Sequence, residues 1–253
     1  MSVWWGRQRR DRLVDTLATL FVVVLVWQGL FAYAGDSAIS APWQTLVYAL
    51  GLMRGTMLWE HAGATVTAFL EALAISSVLG VLTGLVLGLR RFAGDVMEPV
   101  LAGLYSVPKV TLYPMILLIF GLGMGAKVAF GVIHGVIPIT LFTLNAVKTL
   151  NPGLLRTARA FRLDQMQTIR FVLAPAVLPE MVTGLRVGSS LTLLGVLIGE
   201  MFASQRGLGF LIVNGSNLHN VRQTTSIILI VVVSAIAMNV LLLRLERWLH
   251  SRE

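Results

Sequence analysis

The chain has 253 residues, 56% of them hydrophobic and 13% charged, with a formal net charge of +8 and no cysteine. A soluble domain carries roughly 25% charged residues, so this surplus of apolar side chains must face lipid. The missing cysteine excludes disulfide frameworks, thiolate metal sites and cysteine nucleophiles, and the basic residues cluster at the ends of apolar runs, which reads as membrane topology rather than nucleic-acid binding.

The first apolar run, Leu13–Ala34, follows Arg7, Arg9, Arg10 and Arg12 and is interrupted only by Asp15. A cleavable signal has roughly 7–15 apolar residues and a span about 20, so the length predicts a retained transmembrane helix. Further runs of spanning length are Thr65–Leu89, Pro99–Gly121, Lys127–Val147, Leu178–Phe202 and Ser226–Leu243. Backbone amides find no partner in hydrocarbon, so the expected fold is all-α, a polytopic membrane protein of about six transmembrane helices. Fourteen of the twenty Lys and Arg residues fall on the side of the N-terminus, which predicts both termini in the cytoplasm. No repeat or low-complexity linker divides the sequence, so residues 1–253 are expected to form a single membrane domain.

In the second run Ser76, Ser77, Gly80, Gly84 and Gly88 place small residues four apart, the pattern of close helix packing. In the third, Lys109 lies about 15 Å along the helix from Pro99, near mid-membrane. A charge there is expensive by about 2.5–3.5 kcal/mol, so Lys109 either lines a path and attracts an anion or is paired or snorkelling. Pro108 and Pro114 flank it and free nearby carbonyls. The stretch Gly121–Lys127 imitates a phosphate-binding loop but follows a span instead of a strand, so it is read as a turn. His134 in the fourth run either lines a path or bonds a carbonyl, and without a companion at ligand spacing it predicts no metal site. Glu71, Glu180, Arg186 and Glu200 lie within or at the ends of runs; Arg186 and Glu180, six apart, point to different faces and are expected to pair with other helices.

The connections Gly35–Ala64 and Lys148–Val177 are long enough to hold structure. Asn151-Pro152 reads as a helix start, with Asn as the cap and Pro at the first helical position. Leu154, Leu155, Ala158 and Phe161 form a short apolar stripe with Arg156 and Arg159 beside it. Asp164 caps a second short helix through Gln165–Leu173, which Ala174-Pro175 and Leu178-Pro179 end. Such a basic elbow rests on anionic headgroups, or docks a partner with Phe161 and Leu155 in a groove and the arginines against acids.

The segment Leu154–Arg186 resembles the cytoplasmic loop of binding-protein-dependent ABC importer permeases, whose pattern is Glu-Ala-Ala, three residues, Gly, nine residues and Ile-x-Leu-Pro. In register, Arg156-Thr157-Ala158 takes the Glu-Ala-Ala positions, Arg162 the glycine position and Val172-Leu173-Ala174-Pro175 the closing group; Ala158 and Pro175 match strictly. Upstream, Ser106-Val107-Pro108, Pro114 and Phe120-Gly121-Leu122-Gly123 resemble the nitrate, sulfonate and taurine branch. So do Gly199-Glu200-Met201-Phe202 and Gly207-Leu208-Gly209-Phe210-Leu211-Ile212 downstream.

The resemblance implies a multi-pass permease of the bacterial inner membrane that carries a small anionic solute. It also implies a homodimer, two ATP-binding-cassette ATPase subunits that use ATP and Mg, and an extracytoplasmic solute-binding protein. The chain itself would bind no cofactor, metal or nucleic acid and would hold no catalytic residue. On this reading Leu155, Arg156, Ala158, Arg159, Phe161, Arg162 and Asp164, in a loop at about 148–177, couple to the ATPases. Ser106, Lys109, Tyr113, His134 and Glu200 belong to the substrate path, and Pro108, Pro114, Pro175 and Pro179 are hinges. The alternative, a self-contained ion-coupled carrier, calls for paired mid-membrane acids and internal symmetry, neither of which the sequence displays.

Overall fold

The computed structural model describes the backbone of residues 2–250, and the side chains of residues 14–247 except 155, 159, 165, 203 and 245. Among the described residues all regular structure is helical. In order it forms α1 (Ser2–Ala34), α2 (Pro42–Leu52), α3 (Thr56–Leu89), α4 (Arg91–Ser106), a 3-10 turn (Lys109–Leu112) and α5 (Tyr113–Phe120). Then follow α6 (Met124–Lys148), α7 (Pro152–Ala160), α8 (Gln165–Thr168), a π-helical stretch (Ile169–Leu173), α9 (Ala174–Ala203), α10 (Leu208–Asn217) and α11 (Val221–His250). Two contact units result, Met1–Leu58 with Leu211–Val231, and Trp59–Phe210 with Val232–Glu253.

Five helical segments are long and apolar enough to cross a bilayer: Val14–Ala34, Thr56–Leu89, Met124–Lys148, Met166–Phe202 and Val221–Arg244. They match five of the six predicted runs, four of them in full and Leu13–Ala34 from its second residue on. The remaining one, Pro99–Gly121, is not a continuous helix. Arg91–Ser106 and Lys109–Phe120 meet at 84°, because a residue before proline is pushed out of the helical region: Val107 has φ −66° and ψ 132°.

The second unit is built around α6, half of whose membrane window is buried, against none of that of α1. Its partners approach through missing side chains. A Cβ on Gly80, Gly84 or Gly88 of α3 would lie 2.8, 2.6 or 2.6 Å from the Cβ of Ile139, Thr143 or Val147. Both sets advance by four, so α3 and α6 run parallel with one glycine facing each side chain of α6, the expected role of the small-residue stripe. The Thr83 and Thr140 hydroxyls bond across the same seam at 3.0 Å. On the other side Gly184, Gly188 and Gly199 of α9 face Phe142, Ile139 and Lys127, so α9 is antiparallel to α6. Phe130, Ile139, Leu144 and Val196 are completely enclosed. In the first unit the Trp27 indole donates to the Ser40 carbonyl at 3.0 Å, and the Ser226 hydroxyl to that of Thr45 at 3.0 Å.

Candidate functional site

The elbow between α6 and α9 is assembled from local signals. The Asn151 side-chain oxygen accepts the Gly153 N–H at 2.8 Å and caps α7, with Pro152 at the first helical position where no donor is needed. The far end of α7 closes with the Leu163 N–H on the Ala158 carbonyl at 3.0 Å and Arg162 at φ 52°. This is the six-to-one closure that favours glycine in the left-handed position. Arg162 stands at the glycine position of the loop pattern, so the arginine adopts the conformation for which that pattern reserves a glycine. Asp164 and Gln167 then form a reciprocal capping box, Oδ1 accepting the Gln167 N–H at 2.7 Å and the Gln167 Oε1 accepting the Asp164 N–H at 3.1 Å.

One expectation is corrected here. Pro175 and Pro179 do not end the helix that Asp164 begins; the helical path continues from Gln165 to Ala203. A proline clashes with the carbonyl four residues back, and a π turn widens the coil at that point. The Ala174 N–H bonds the Ile169 carbonyl, five back, and Pro175 enters as one of the first residues of α9. The elbow is therefore fused to the span Met166–Phe202. Ala158 is buried, whereas Phe161 is 75% exposed and Arg156, Arg162 and Asp164 are exposed. The side chains of Leu155 and Arg159 lie outside the described ones. At the root of the elbow, Lys148 Nζ lies 2.5 Å from Asp95 and 2.7 Å from Glu98, tying α4 to α6. Arg186 on α9 pairs with Glu246 on α11 at 2.8 Å, the inter-helix partner expected for it.

The broken span gathers a second group. Pro108 precedes the 3-10 turn, and its carbonyl accepts the N–H and hydroxyl of Thr111 at 3.0 and 2.8 Å. Lys109 Nζ donates to the Tyr105 carbonyl at 3.0 Å, the acceptor a continuous helix would have offered to the backbone N–H of residue 109, and lies 5.1 Å from the Tyr105 ring centre. Ser106 bonds the Ala102 carbonyl on an exposed face. Pro114 starts α5, where a proline is tolerated. Tyr113 and His134 both contact the Phe130 ring, their ring centres 5.6 and 5.3 Å from its own. The Tyr113 hydroxyl is enclosed without a hydrogen-bond partner among the described residues. His134 Nδ1 bonds the Phe130 carbonyl at 2.8 Å, so that nitrogen carries the proton.

Glu200 sits apart from these, completely buried in a clamp. Its carboxylate accepts the Thr65 hydroxyl at 2.9 Å and the Gly209 N–H at 3.0 Å, and Lys127 Nζ stands 3.4 Å away. Lys127 also reaches the Arg206 carbonyl at 3.3 Å. The turn from α9 into α10 is held from α3 as well, the Leu208 N–H on the Thr65 hydroxyl at 2.9 Å and the Gly207 N–H on His61 Nδ1 at 3.0 Å. Gly207 has φ 129°, and a Cβ there would strike the Glu200 carboxylate, so only glycine fits. The sequence puts Lys127 at the end of a turn and the first position of the fourth run, without a partner. What could have found the pair is charge: a carboxylate at the end of one apolar run needs a cation at the matching end of another. Among the described residues no three His, Asp or Glu side chains converge as metal ligands.

Residues 76–253 match the family of binding-protein-dependent transport system inner membrane components. The chain belongs to this family. It is a permease subunit of an ABC importer, a multi-pass protein of the inner membrane, and not a self-contained ion-coupled carrier. The permease is 27% identical over 216 residues to the taurine transport system permease protein TauC of Escherichia coli, covering 82% of this chain and 78% of that one. It is 30% identical to the riboflavin transport system permease protein RibX of Chloroflexus aurantiacus, over 77% and 73% of the two chains. Among solved structures, an inward-facing MetNI methionine ABC transporter chain has the same fold, with a TM-score of 0.59 and 21% identity over 78% of the permease and 95% of that chain.

Proposed function

We propose that the permease is a single transmembrane domain acting as a homodimer, with both termini in the cytoplasm, and that it passes a small anionic solute delivered by an extracytoplasmic binding protein. ATP is hydrolysed with Mg in two separate ATPase subunits, each gripping one elbow. The observation that carries this reading is the elbow itself: an exposed Phe161 beside an exposed Arg162 on a capped element continuous with a span, so that force applied there moves α9. An anionic solute is supported by relatives named for taurine, aliphatic sulfonates, bicarbonate and nitrate, although others are named for riboflavin and formylaminopyrimidine.

Within this reading Lys109, at the break of the third span, supplies the cation of the path, with Ser106, Tyr113 and His134 beside it. Glu200 keeps the clamp closed at the extracytoplasmic end. Pro108, Pro114, Pro175 and Pro179 mark the joints where helices re-aim. In proteoliposomes containing permease, ATPase and binding protein, uptake of one member of a panel of taurine, nitrate and bicarbonate is expected only with ATP and binding protein together. Uptake that needs neither would overturn the proposal. Lys109→Glu should abolish that uptake while the complex still assembles; normal transport by this variant would remove Lys109 from the path.

Orientation has its own test, helped by the absence of native cysteine. A single cysteine at exposed Asp36 is expected to react with an impermeant maleimide in intact cells, and one at exposed Met166 only after permeabilisation. The reverse pattern would invert the topology.

A further inference from the structure

At the elbow end of the second unit a cavity of about 500 Å³ lies between the last turn of α3, the start of α4, the end of α6 and the elbow. Leu89, Val147, Leu150 and Leu173 give it an apolar wall, and Asp95 and Lys148 line it beside them. Arg91 and Arg156 also line it, both exposed and neither in an ion pair among the described residues. Lys148 contributes no free charge, because it is shared by Asp95 and Glu98. That trio carries one negative charge and the two arginines carry two positive ones, so the site is left with a net positive charge beside an apolar wall.

We infer that this cavity is a binding site for an anionic phospholipid of the inner leaflet. The Arg91 and Arg156 guanidiniums hold the headgroup phosphate, and the apolar walls take the first part of an acyl chain. A guanidinium offers paired donors that match phosphate oxygens, and basic pockets between helices on the cytoplasmic side suit such headgroups. A free inorganic anion would leave the apolar wall uncovered. A nucleotide would find no aromatic platform, since no aromatic side chain lines the cavity. The inference rests on the proposed orientation, which puts this end at the cytoplasmic leaflet. It also has a consequence for coupling: Arg91 lies on α4 and Arg156 on α7, so one phosphate between them joins the elbow to the third span and favours a fixed elbow position.

The test is lipid retention by the full-length permease in detergent, measured by native mass spectrometry with equal phosphatidylglycerol and phosphatidylcholine. Wild type is expected to retain phosphatidylglycerol with about tenfold preference, because both headgroups carry a phosphate but phosphatidylcholine adds a quaternary ammonium that the net positive site repels. Arg91→Gln with Arg156→Gln should remove the preference. Arg54→Gln with Arg222→Gln, which removes the same charge on the opposite side, should keep it. An unchanged preference in the first pair, an equal loss in both pairs, or displacement of the lipid by millimolar inorganic phosphate would overturn the site. Should the first pair fail to fold, a diazirine-bearing phosphatidylglycerol on wild type decides the matter: cross-links must map to residues 88–95, residues 147–156 or Leu173, and mapping elsewhere refutes it. These readouts do not depend on transport. Failure of the orientation therefore appears separately, as Met166→Cys labelling from outside.

Discussion

Replacing Lys127 by methionine is expected to destabilise the permease by about 3–5 kcal/mol, the scale for stranding one member of a buried ion pair. Glu200 is completely enclosed and Lys127 is 2% exposed, so loss of the ammonium leaves a buried carboxylate without a counter-charge. The change would also release the Arg206 carbonyl and loosen the turn into α10 that Thr65 and His61 hold. The double variant Lys127→Met with Glu200→Gln should recover most of the loss. Its amide can still accept from Thr65 and from the Gly209 N–H, and no charge is left buried. Thermal unfolding in detergent, followed by tryptophan fluorescence, measures all three proteins. Additive losses in the double variant would show that the two side chains do not act as a pair.

Phe161→Asp is expected to reduce ATP-driven uptake roughly 30-fold, the effect of removing an aromatic anchor worth about 2 kcal/mol from a docking surface. The side chain is 75% exposed on the turn that closes α7, so its loss leaves no cavity within the chain, and the fold should survive. The signature is uncoupling: the ATPases continue to hydrolyse ATP in the presence of the variant while solute stays outside. Full uptake with wild-type coupling would mean that the elbow engages its partner through other groups. The change is confined to an exposed turn, so the unfolding midpoint should stay near that of the wild type, which separates lost docking from lost folding.

The elbow was the most legible part of the site, because its determinants lie within a few residues of one another. Asn151 and Pro152 start α7, Asp164 with Gln167 starts α8, and each bond spans two or three residues. The small-residue stripe on α3 was legible for a similar reason: a period of four marks one helix face whatever that face meets. Prolines were harder to read. The same residue type breaks the chain at Val107-Pro108 and is absorbed at Ala174-Pro175, and the difference lies in the preceding backbone, extended in one case and a π turn in the other. Lys109 donates to the Tyr105 carbonyl, and the 84° bend puts it at a joint instead of inside a straight helix.

Hydropathy, charge placement and helix-end signals by themselves determined that the chain is a helical membrane protein, where its apolar segments lie and which segment forms the elbow. These depend on solvent preference and on interactions along one stretch of backbone. Tertiary structure alone decided that Lys127 meets Glu200, 73 residues away, and that α6 lies between α3 and α9. It also brought Arg91 and Arg156 to one cavity. The physical reason is that partners across helices are set by packing register, and a shift of one residue along a helix turns every side chain by about 100° onto another face.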